Sequence, residues 1–467
     1  MSVHVPSRLL RFSGPLLGLV LLAVPTFAQE QPASPPAQPT LDDLDQRVKV
    51  LERLLELQDQ AAAEKAKTAG SFTAGKEGFS WKSADGAYVL KLRGYIHSDG
   101  RFFAGDKIKE GTSILTLRRI RPIIEGTVAK SFDFRIMPDW GGGSAVLYDG
   151  YVEYRAQPWL KIRTGKFKPP IGYERLMSAT EIVFLERALP TNLVPNRDVG
   201  FQVSGDFAGG KLTYAAGVFD GAPDGAMVDT DINDLKETSG RLFAWPLKST
   251  MSPWLSNLGL GLSASVGQNK GTPSATGLGS LKTPGQQTMF SYRTNSRLTA
   301  DSTVVAQGRR LRWSPQGCWY SGRIGGYGEY VESRQELQLN SRTNLEHKVH
   351  AWEATGSFAL TKDEMSAKGV SPKKPFDPGK GAWGAVTLDG RYSRLVVDKG
   401  AFPTFASLTS SVSQADAWAA GLTWYMNKNV KLVADYEQTK FKDGATAAQG
   451  HDREQEKVIS VRTQLVF

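Results

Sequence analysis

The densest run of chemically capable side chains in this sequence is Leu117-Arg118-Arg119-Ile120-Arg121, which sets three guanidiniums inside four positions. A guanidinium stays charged at physiological pH and presents a planar fork of donors that matches the oxygens of phosphate or carboxylate. A ring or ladder of such groups along a water-filled passage selects anions. A second basic segment follows Arg163 and runs Thr164-Gly165-Lys166-Phe167-Lys168-Pro169-Pro170-Ile171-Gly172-Tyr173-Glu174-Arg175. A third group, Arg293, Arg297, Arg309, Arg310, Arg312 and Arg323, surrounds the Ser-, Thr- and Gly-rich stretch 267–312. Side chains suited to covalent chemistry are scarce by comparison. The five histidines (His4, His97, His347, His350, His451) come with no Ser or Asp arrangement that makes a nucleophile and its base. His347 and His350 have a metal-ligand spacing without a third ligand and read as loop residues. The Gly-rich run 322–328 lacks the following helix of a phosphate-binding loop. The single cysteine, Cys318, excludes an internal disulfide and any Cys-cluster metal site. No cofactor, no metal and no enzymatic activity are expected.

The elements that position these groups follow from pattern. Arg8 and Arg11, the apolar stretch Leu16 to Val24 and Thr26-Phe27-Ala28 form an export signal over residues 1–28, cut after Ala28. Beyond it, charges recur too often for a helix of about 18–20 residues to cross a bilayer. Removing Arg8 and Arg11 takes the formal charge from +10 to +8. Residues 29–70 hold eight acids and five bases, so their −3 leaves +11 on the remainder. A basic excess of this size points to nucleic acid, an acidic membrane face or an anionic solute, and export makes nucleic acid the least expected.

Residues 29–40 are rich in Pro, Gln and Ala and form a spacer with nothing to pack. Over 41–67, Leu41, Leu44, Val48, Leu51 and Leu55 alternate spacings of three and four, with Gln58 and Ala62 on the same seam, the heptad of a short coiled coil. A lone helix of this length is marginal, so partner helices are expected. It is either a trimerising or wall-spanning stalk or a solvated amphipathic helix. Residues 68–79, with three glycines, form a hinge.

From residue 80 to 467 the period becomes two. Tyr88, Leu90, Leu92 and Ile96 share one face against Lys91, Arg93 and Tyr95; Phe132, Phe134 and Ile136 oppose Asp133 and Arg135; Tyr148, Val152 and Tyr154 oppose Asp149, Tyr151 and Glu153. A β-sandwich alternates too, but its domains end near about 100 residues, and no domain break is visible here. Apolar faces toward lipid and charged faces toward a wet lumen, at about 24 residues per strand with its loop, predict an all-β, transmembrane antiparallel β-barrel of about sixteen strands. Lipid supplies no hydrogen-bond partners, so the sheet must close. Trp81, Trp159, Trp319, Trp352, Trp418 and Trp424 suit interfacial girdles. The last strand alternates to a terminal Phe467, the kind of signal read by barrel assembly machinery.

Parity sends Arg119 and Arg121 into the lumen beside a lipid side of Ile120, Pro122, Ile124 and Val128, while Arg118 is expected where the strand meets its loop. The alternative is that these arginines are neutralised by lumen acids such as Glu125, Asp133 and Asp149. The segment from Thr164 leaves a strand, breaks at Pro169 and Pro170 and runs on through Glu181 to Pro195 without clear alternation. It reads as a loop folded into the barrel that carries Lys166, Lys168 and Arg175 to a constriction, or as a loop facing solvent at the mouth. Arg293, Arg297, Arg309 and Arg310 suit an extracellular basic funnel or contacts to lipopolysaccharide phosphates.

Residues Tyr88 to Asp224, above all Leu117 to Gly126, Phe132-Asp133-Phe134, Gly165-Lys166-Phe167, Gly172-Tyr173-Glu174-Arg175 and Gly200 to Asp206, resemble the phosphate-selective porin O and P family. The tail from Gly421-Leu422-Thr423-Trp424-Tyr425 through Phe467 is similar too. The resemblance implies a sixteen-stranded homotrimeric barrel in a Gram-negative outer membrane, with an anion path lined by Arg and Lys. Arg118 and Arg119 match the family's paired constriction arginines and Arg175 a basic residue on its infolded third loop. The group around Arg293 and Arg297 matches in character alone. The expected activity is passive diffusion of small anionic solutes, phosphate or polyphosphate among them, through Arg118, Arg119, Arg121, Arg163, Lys166 and Arg175. The alternatives are a general non-selective porin and a barrel-anchored tether whose stalk does the work.

Overall fold

The structure is a computed structural model and describes residues 40–75, 77–105, 111–231, 233–250, 252, 254–294, 302–340 and 343–467. The expected export signal, the spacer up to residue 39 and Arg297 lie outside the described residues.

Helix α1 (Leu41–Thr68) begins at a reciprocal cap, in which Thr40 Oγ1 accepts the Asp43 N–H at 3.3 Å and the Asp43 carboxylate accepts the Thr40 N–H at 3.2 Å. Asp45–Lys49 and Arg53–Glu56 pairs lie along its flank. Leu41, Leu44, Val48, Leu51 and Leu55 are all exposed on it.

The segment expected as a hinge is instead largely sheet. Strands β1 (Ser71–Gly75) and β2 (Gly78–Lys82) form a hairpin, and β2 pairs with Val89–Leu92 of the first barrel strand. That stretch lies beyond the reach of the last strand, whose pairing stops at Tyr95, so the hairpin covers backbone groups that the barrel seam leaves open.

Sixteen strands make the barrel: β3 (Val89–Phe103), β4 (Ile114–Val128), β5 (Phe132–Asp139), β6 (Val146–Gln157), β7 (Leu160–Phe167), β8 (Asp198–Phe207), β9 (Leu212–Phe219), β10 (Glu237–Ala244), β11 (Gly259–Lys270), β12 (Val305–Ser321), β13 (Ile324–Leu339), β14 (Thr343–Ala359), β15 (Ala385–Val397), β16 (Val412–Tyr425), β17 (Val430–Asp443) and β18 (Glu456–Val466). Each is antiparallel to the next, and β18 returns to pair with β3, from Val458 opposite Phe103 to Val466 opposite Tyr95. The terminal residue continues the seam: Phe467 and Gly94 exchange both backbone hydrogen bonds, at 2.7 and 2.9 Å. A side chain at Gly94 would meet the Phe467 ring at 3.0 Å and the Arg121 carbonyl oxygen at 2.9 Å, which is why the aromatic lies over a glycine.

Leu90, Leu92, Ile124, Val128, Phe132, Ile136, Val152 and Val461 are exposed on the outer surface, as alternation predicts. A row of aromatics, Trp313, Tyr330, Trp352, Tyr392, Trp418 and Tyr436, crosses β12 to β17, with ring pairs 5.1–5.3 Å apart. Trp319 and Trp424 lie nearer the short turns, where their indole N–H groups donate to the Trp254 and Trp383 carbonyls.

Two β-bulges overturn simple parity. Between β4 and β3, His97 faces Arg119 and Ser98 faces Leu117, leaving Arg118 as an extra residue; between β6 and β5, Met137 faces Asp149 and Pro138 faces Leu147, leaving Tyr148 extra. A bulge turns consecutive residues to one side. Tyr148, expected toward lipid, therefore lines the lumen. Arg118 turns inward from within β4 and not from a strand–loop junction.

The interior is not uniformly wet. The third long loop, residues 168–197, enters the barrel and packs Ile171, Leu189, Leu193 and Val194 against Val331, Val349, Ala351 and Leu395 of β13 to β15. Leu281, Met289 and Phe290 of the fifth loop join the same cluster, so β13 to β17 carry apolar residues on both faces. The fifth loop is expected at the surface, its arginines forming a funnel or meeting lipopolysaccharide phosphates. Burial of its apolar residues holds it inside instead.

Candidate functional site

The infolded loop begins where β7 ends. Gly165 has φ +122, and a Cβ there would lie 2.2 Å from the Gly150 carbonyl oxygen, so the strand bends only because the residue is glycine. Pro169 and Pro170 then stop sheet pairing. The far wall holds the loop by its backbone. Glu329 accepts the N–H groups of Tyr173 (2.7 Å) and Glu174 (3.1 Å), Asp435 accepts that of Leu185 (2.9 Å), and Arg391 donates to the Glu186 carbonyl (2.8 Å).

Between this loop and the near wall lies a cavity of ≈ 910 Å³, lined by thirteen basic and four acidic residues. On its wall side, Arg119 lies 3.3 Å from His97 Nδ1 and donates to Glu186 Oε2 at 3.1 Å. Arg118 Nε donates to Glu186 Oε1 at 2.6 Å, and Arg101 to the same oxygen at 2.8 Å. Arg462 is bidentate to Asp99 (2.7 and 2.6 Å) and 3.8 Å from Glu186. Arg121 pairs with Asp139 at 2.7 Å, donates to Tyr95 Oη at 2.7 Å and lies 3.8 Å over the Tyr148 ring. These five guanidiniums face three carboxylates. Burial works to raise the Glu186 pKa, but the charges of Arg118, Arg119, Arg101 and Arg462 hold it well below the ordinary carboxylate range.

On the loop side the cations have different partners. Lys168 donates to the Met177 carbonyl at 2.7 Å, Arg187 to the carbonyls of Glu174 (3.0 Å) and Met177 (2.8 Å), and Arg175 to that of Thr191. Backbone oxygens satisfy donors without cancelling charge. Arg175 Nε is buried with no hydrogen-bond partner. Arg197, in contrast, is neutralised by Asp149 at 2.6 Å.

Of the residues singled out from sequence, Arg118, Arg119, Arg121, Arg163 and Arg175 all line this cavity. Arg163 pairs with Glu153 at 2.7 Å and lies 4.2 Å over the Tyr151 ring. Lys166 does not line it: the side chain is buried against Asp229 of the loop at 220–236. Among the described residues the funnel is not assembled either. Arg310 is buried on Glu237 at 2.7 Å, Arg309 is exposed on the outward parity of β12, and Arg293 donates to the Pro403 carbonyl at 2.6 Å. Arg323 lies in the turn between β12 and β13, at the opposite end of the barrel from the fifth loop, donating to the carbonyls of Ala359 and Leu360. Arg118, Arg119 and Arg121 do pair with carboxylates, but with Glu186, which Arg118 and Arg119 share with Arg101, and with Asp139; Glu125, Asp133 and Asp149 pair with Arg93 and Arg135, with Arg155, and with Arg197. Arg101 and Arg462 were legible, since both fall on the polar parity of strands that meet at barrel closure. Glu186 carried no such signal.

Residues 90–467 match the family model described as phosphate-selective porin O and P. The chain belongs to that family. Porin O of Pseudomonas aeruginosa is 23% identical over 406 residues, covering 78% of this chain and 86% of that protein. An uncharacterised protein of Caulobacter vibrioides is 25% identical over 358 residues, 75% of this chain and 68% of its own. Among solved structures, the outer membrane channel DcaP of Acinetobacter baumannii superposes with a TM-score of 0.52 at 9% identity, covering 85% of this chain and 100% of that one. An anion-selective porin from Comamonas acidovorans superposes at 0.50 and 11%, covering 81% and 100%. Both likenesses show the shared fold. This porin is thus an outer-membrane channel of a Gram-negative bacterium, and its family and fold are those of a channel rather than an enzyme.

Proposed function

We propose that the channel carries small anionic solutes by passive diffusion, phosphate-like oxyanions among them, along the cavity between the infolded loop and the β3 to β8 wall. The observation that carries this reading is the charge of the lining, thirteen bases against four acids, with Lys168, Arg175 and Arg187 bound to carbonyls that leave their charge uncancelled. Arg118 and Arg119 stand across the same cavity. Converging donors in a partly desolvated passage hold an oxyanion by charge-assisted hydrogen bonds, and a cleft of one sign concentrates the opposite ion. The pairing of Arg118, Arg119 and Arg121 with Glu186 and Asp139 favours a second reading, a general porin with anion preference and no phosphate specificity. Seam contacts of Phe467 fit engagement by the barrel assembly machinery, outward basic residues such as Arg309 fit lipopolysaccharide phosphates, and α1 fits a homotrimer.

The test is single-channel recording of the refolded mature protein in a planar bilayer, with the reversal potential under a KCl gradient followed by a phosphate titration. Chloride-directed reversal with current blocked by phosphate is expected. Chloride preference without block selects the general anion porin, and open channels without ion preference overturn the anion reading.

A further inference from the structure

The wall supplies carboxylates for two of its five clustered guanidiniums, Asp99 for Arg462 and Asp139 for Arg121. Among the described residues, Arg101, Arg118 and Arg119 form no ion pair with a wall carboxylate. Their counter-charge comes from the loop, as Glu186 Oε1 accepts from Arg101 (2.8 Å) and Arg118 (2.6 Å) while Oε2 accepts from Arg119 (3.1 Å) and Arg118 (3.3 Å). Each carboxylate oxygen thus takes two guanidinium donors. An incoming oxyanion needs that same arrangement of donors.

The cluster is not sealed. The Arg118 side chain is 28% exposed, and Arg118, Arg119 and Glu186 all border the cavity. We propose that Glu186 is a tethered counter-anion that occupies the arginine site of the channel, so that a permeating oxyanion competes with a carboxylate built into the loop. This rests on the anion-path reading and adds the residue that sets how tightly the path holds its ion. Glu186 weakens solute binding by two routes: it takes the donors, and it lowers the local charge by one. A channel that must release its solute is served by such a competitor, because conduction requires binding weak enough to leave.

The placement of Glu186 does not depend on its carboxylate. Its carbonyl accepts from Arg391 at 2.8 Å, the N–H of Leu185 is held by Asp435 at 2.9 Å, and Phe184 and Leu185 are buried on its N-terminal side. The loop therefore keeps its path when the side chain is neutralised.

The experiment compares wild type with Glu186→Gln and Glu186→Ser in planar bilayers at neutral pH, using inorganic phosphate as the blocking ion and a KCl gradient for selectivity. Glu186→Gln removes the counter-charge but keeps an acceptor, Glu186→Ser removes both from the reach of the three guanidiniums, and either one in folded form decides the question. The expected result is half-block at a phosphate concentration about tenfold lower than wild type, the size of one charge-assisted contact, with reversal shifted further toward chloride. Glu186→Asp returns both values toward wild type. Unchanged half-block and unchanged reversal in the two neutral variants overturn the competitor role while wild-type anion preference stands. Absence of anion preference in wild type and variants alike overturns the anion path itself, and with it this inference.

Discussion

At the scale of the residue, position in the charge network decides function more than residue type does. Arg119→Ala removes a donor from the cavity face while Glu186 keeps Arg101 and Arg118. The expected outcome is phosphate half-block at a concentration about tenfold higher, with the reversal potential moved toward zero in a KCl gradient. Glu186 also fixes a pH dependence. Its folded pKa is depressed, so its hold on Arg101, Arg118 and Arg119 is complete above the ordinary carboxylate range and is lost only as pH falls through the lowered folded value. The competition of Glu186 for the arginines, read as the difference in phosphate half-block between wild type and Glu186→Gln, is accordingly expected to stay level from neutral pH down to about pH 4.5, where an ordinary Glu is already half protonated. Gly94→Val tests the seam. Its side chain would collide with the Arg121 carbonyl and the Phe467 ring, and slower refolding with a lower unfolding temperature in detergent is expected, read by heat-modifiable electrophoresis.

At the scale of the element, the infolded loop and the helix make separate predictions. Glu329 accepts two loop N–H groups deep in the barrel. Glu329→Leu leaves both unsatisfied at about 1–3 kcal/mol each, enough to release that end of the loop. Single-channel conductance is expected to rise and anion selectivity to fall. Helix α1 presents Leu41, Leu44, Val48, Leu51 and Leu55 along one exposed seam. In a parallel coiled coil, Arg47 of one copy comes opposite Glu52 of the next. If α1 forms the proposed homotrimer, Leu51→Asp with Leu55→Asp is expected to lower the molar mass from trimer toward monomer in light scattering of the detergent-solubilised protein. Deletion of residues 29–70 is expected to preserve conductance, and its loss from a folded barrel would favour the tether.

At the scale of the whole molecule, the basic excess past residue 70 acts as a field. Its reach follows the Debye length, about 10 Å at 0.1 M salt and about 3 Å at 1 M. Chloride preference is therefore expected to decline as the mean KCl concentration rises across that range, while block by phosphate, which depends on direct contacts, weakens less. The barrel divides its interior between a packed half, where loops three and five bury Ile171, Leu193, Met289 and Phe290, and a basic half that remains open. The proposed anion path runs through the second half.

The alternation of Leu90 and Leu92 with Lys91 and Arg93 was legible because a pleated strand sorts side chains to two faces by local geometry alone, and lipid outside with water inside then requires closure. The return of β18 to β3 and the inward direction of Arg119 and Arg121 follow from that one local rule, and the strand count from chain length divided by about 24 residues per strand and loop. Arg118 and Tyr148 escaped it because a single extra residue reverses parity, and a bulge is a property of two paired strands. Lys166 and Arg310 escaped it because their partners, Asp229 on the loop at 220–236 and Glu237 at the start of β10, come from distant segments. Glu186 is the clearest case. Its neighbours in sequence describe an apolar loop, and only burial of Ile171, Leu189 and Leu193 against the far wall sets its carboxylate among arginines from β3, β4 and β18. The strand pattern was thus determined by residues two apart, whereas the charge that tunes the passage was decided by packing between segments far apart in the chain.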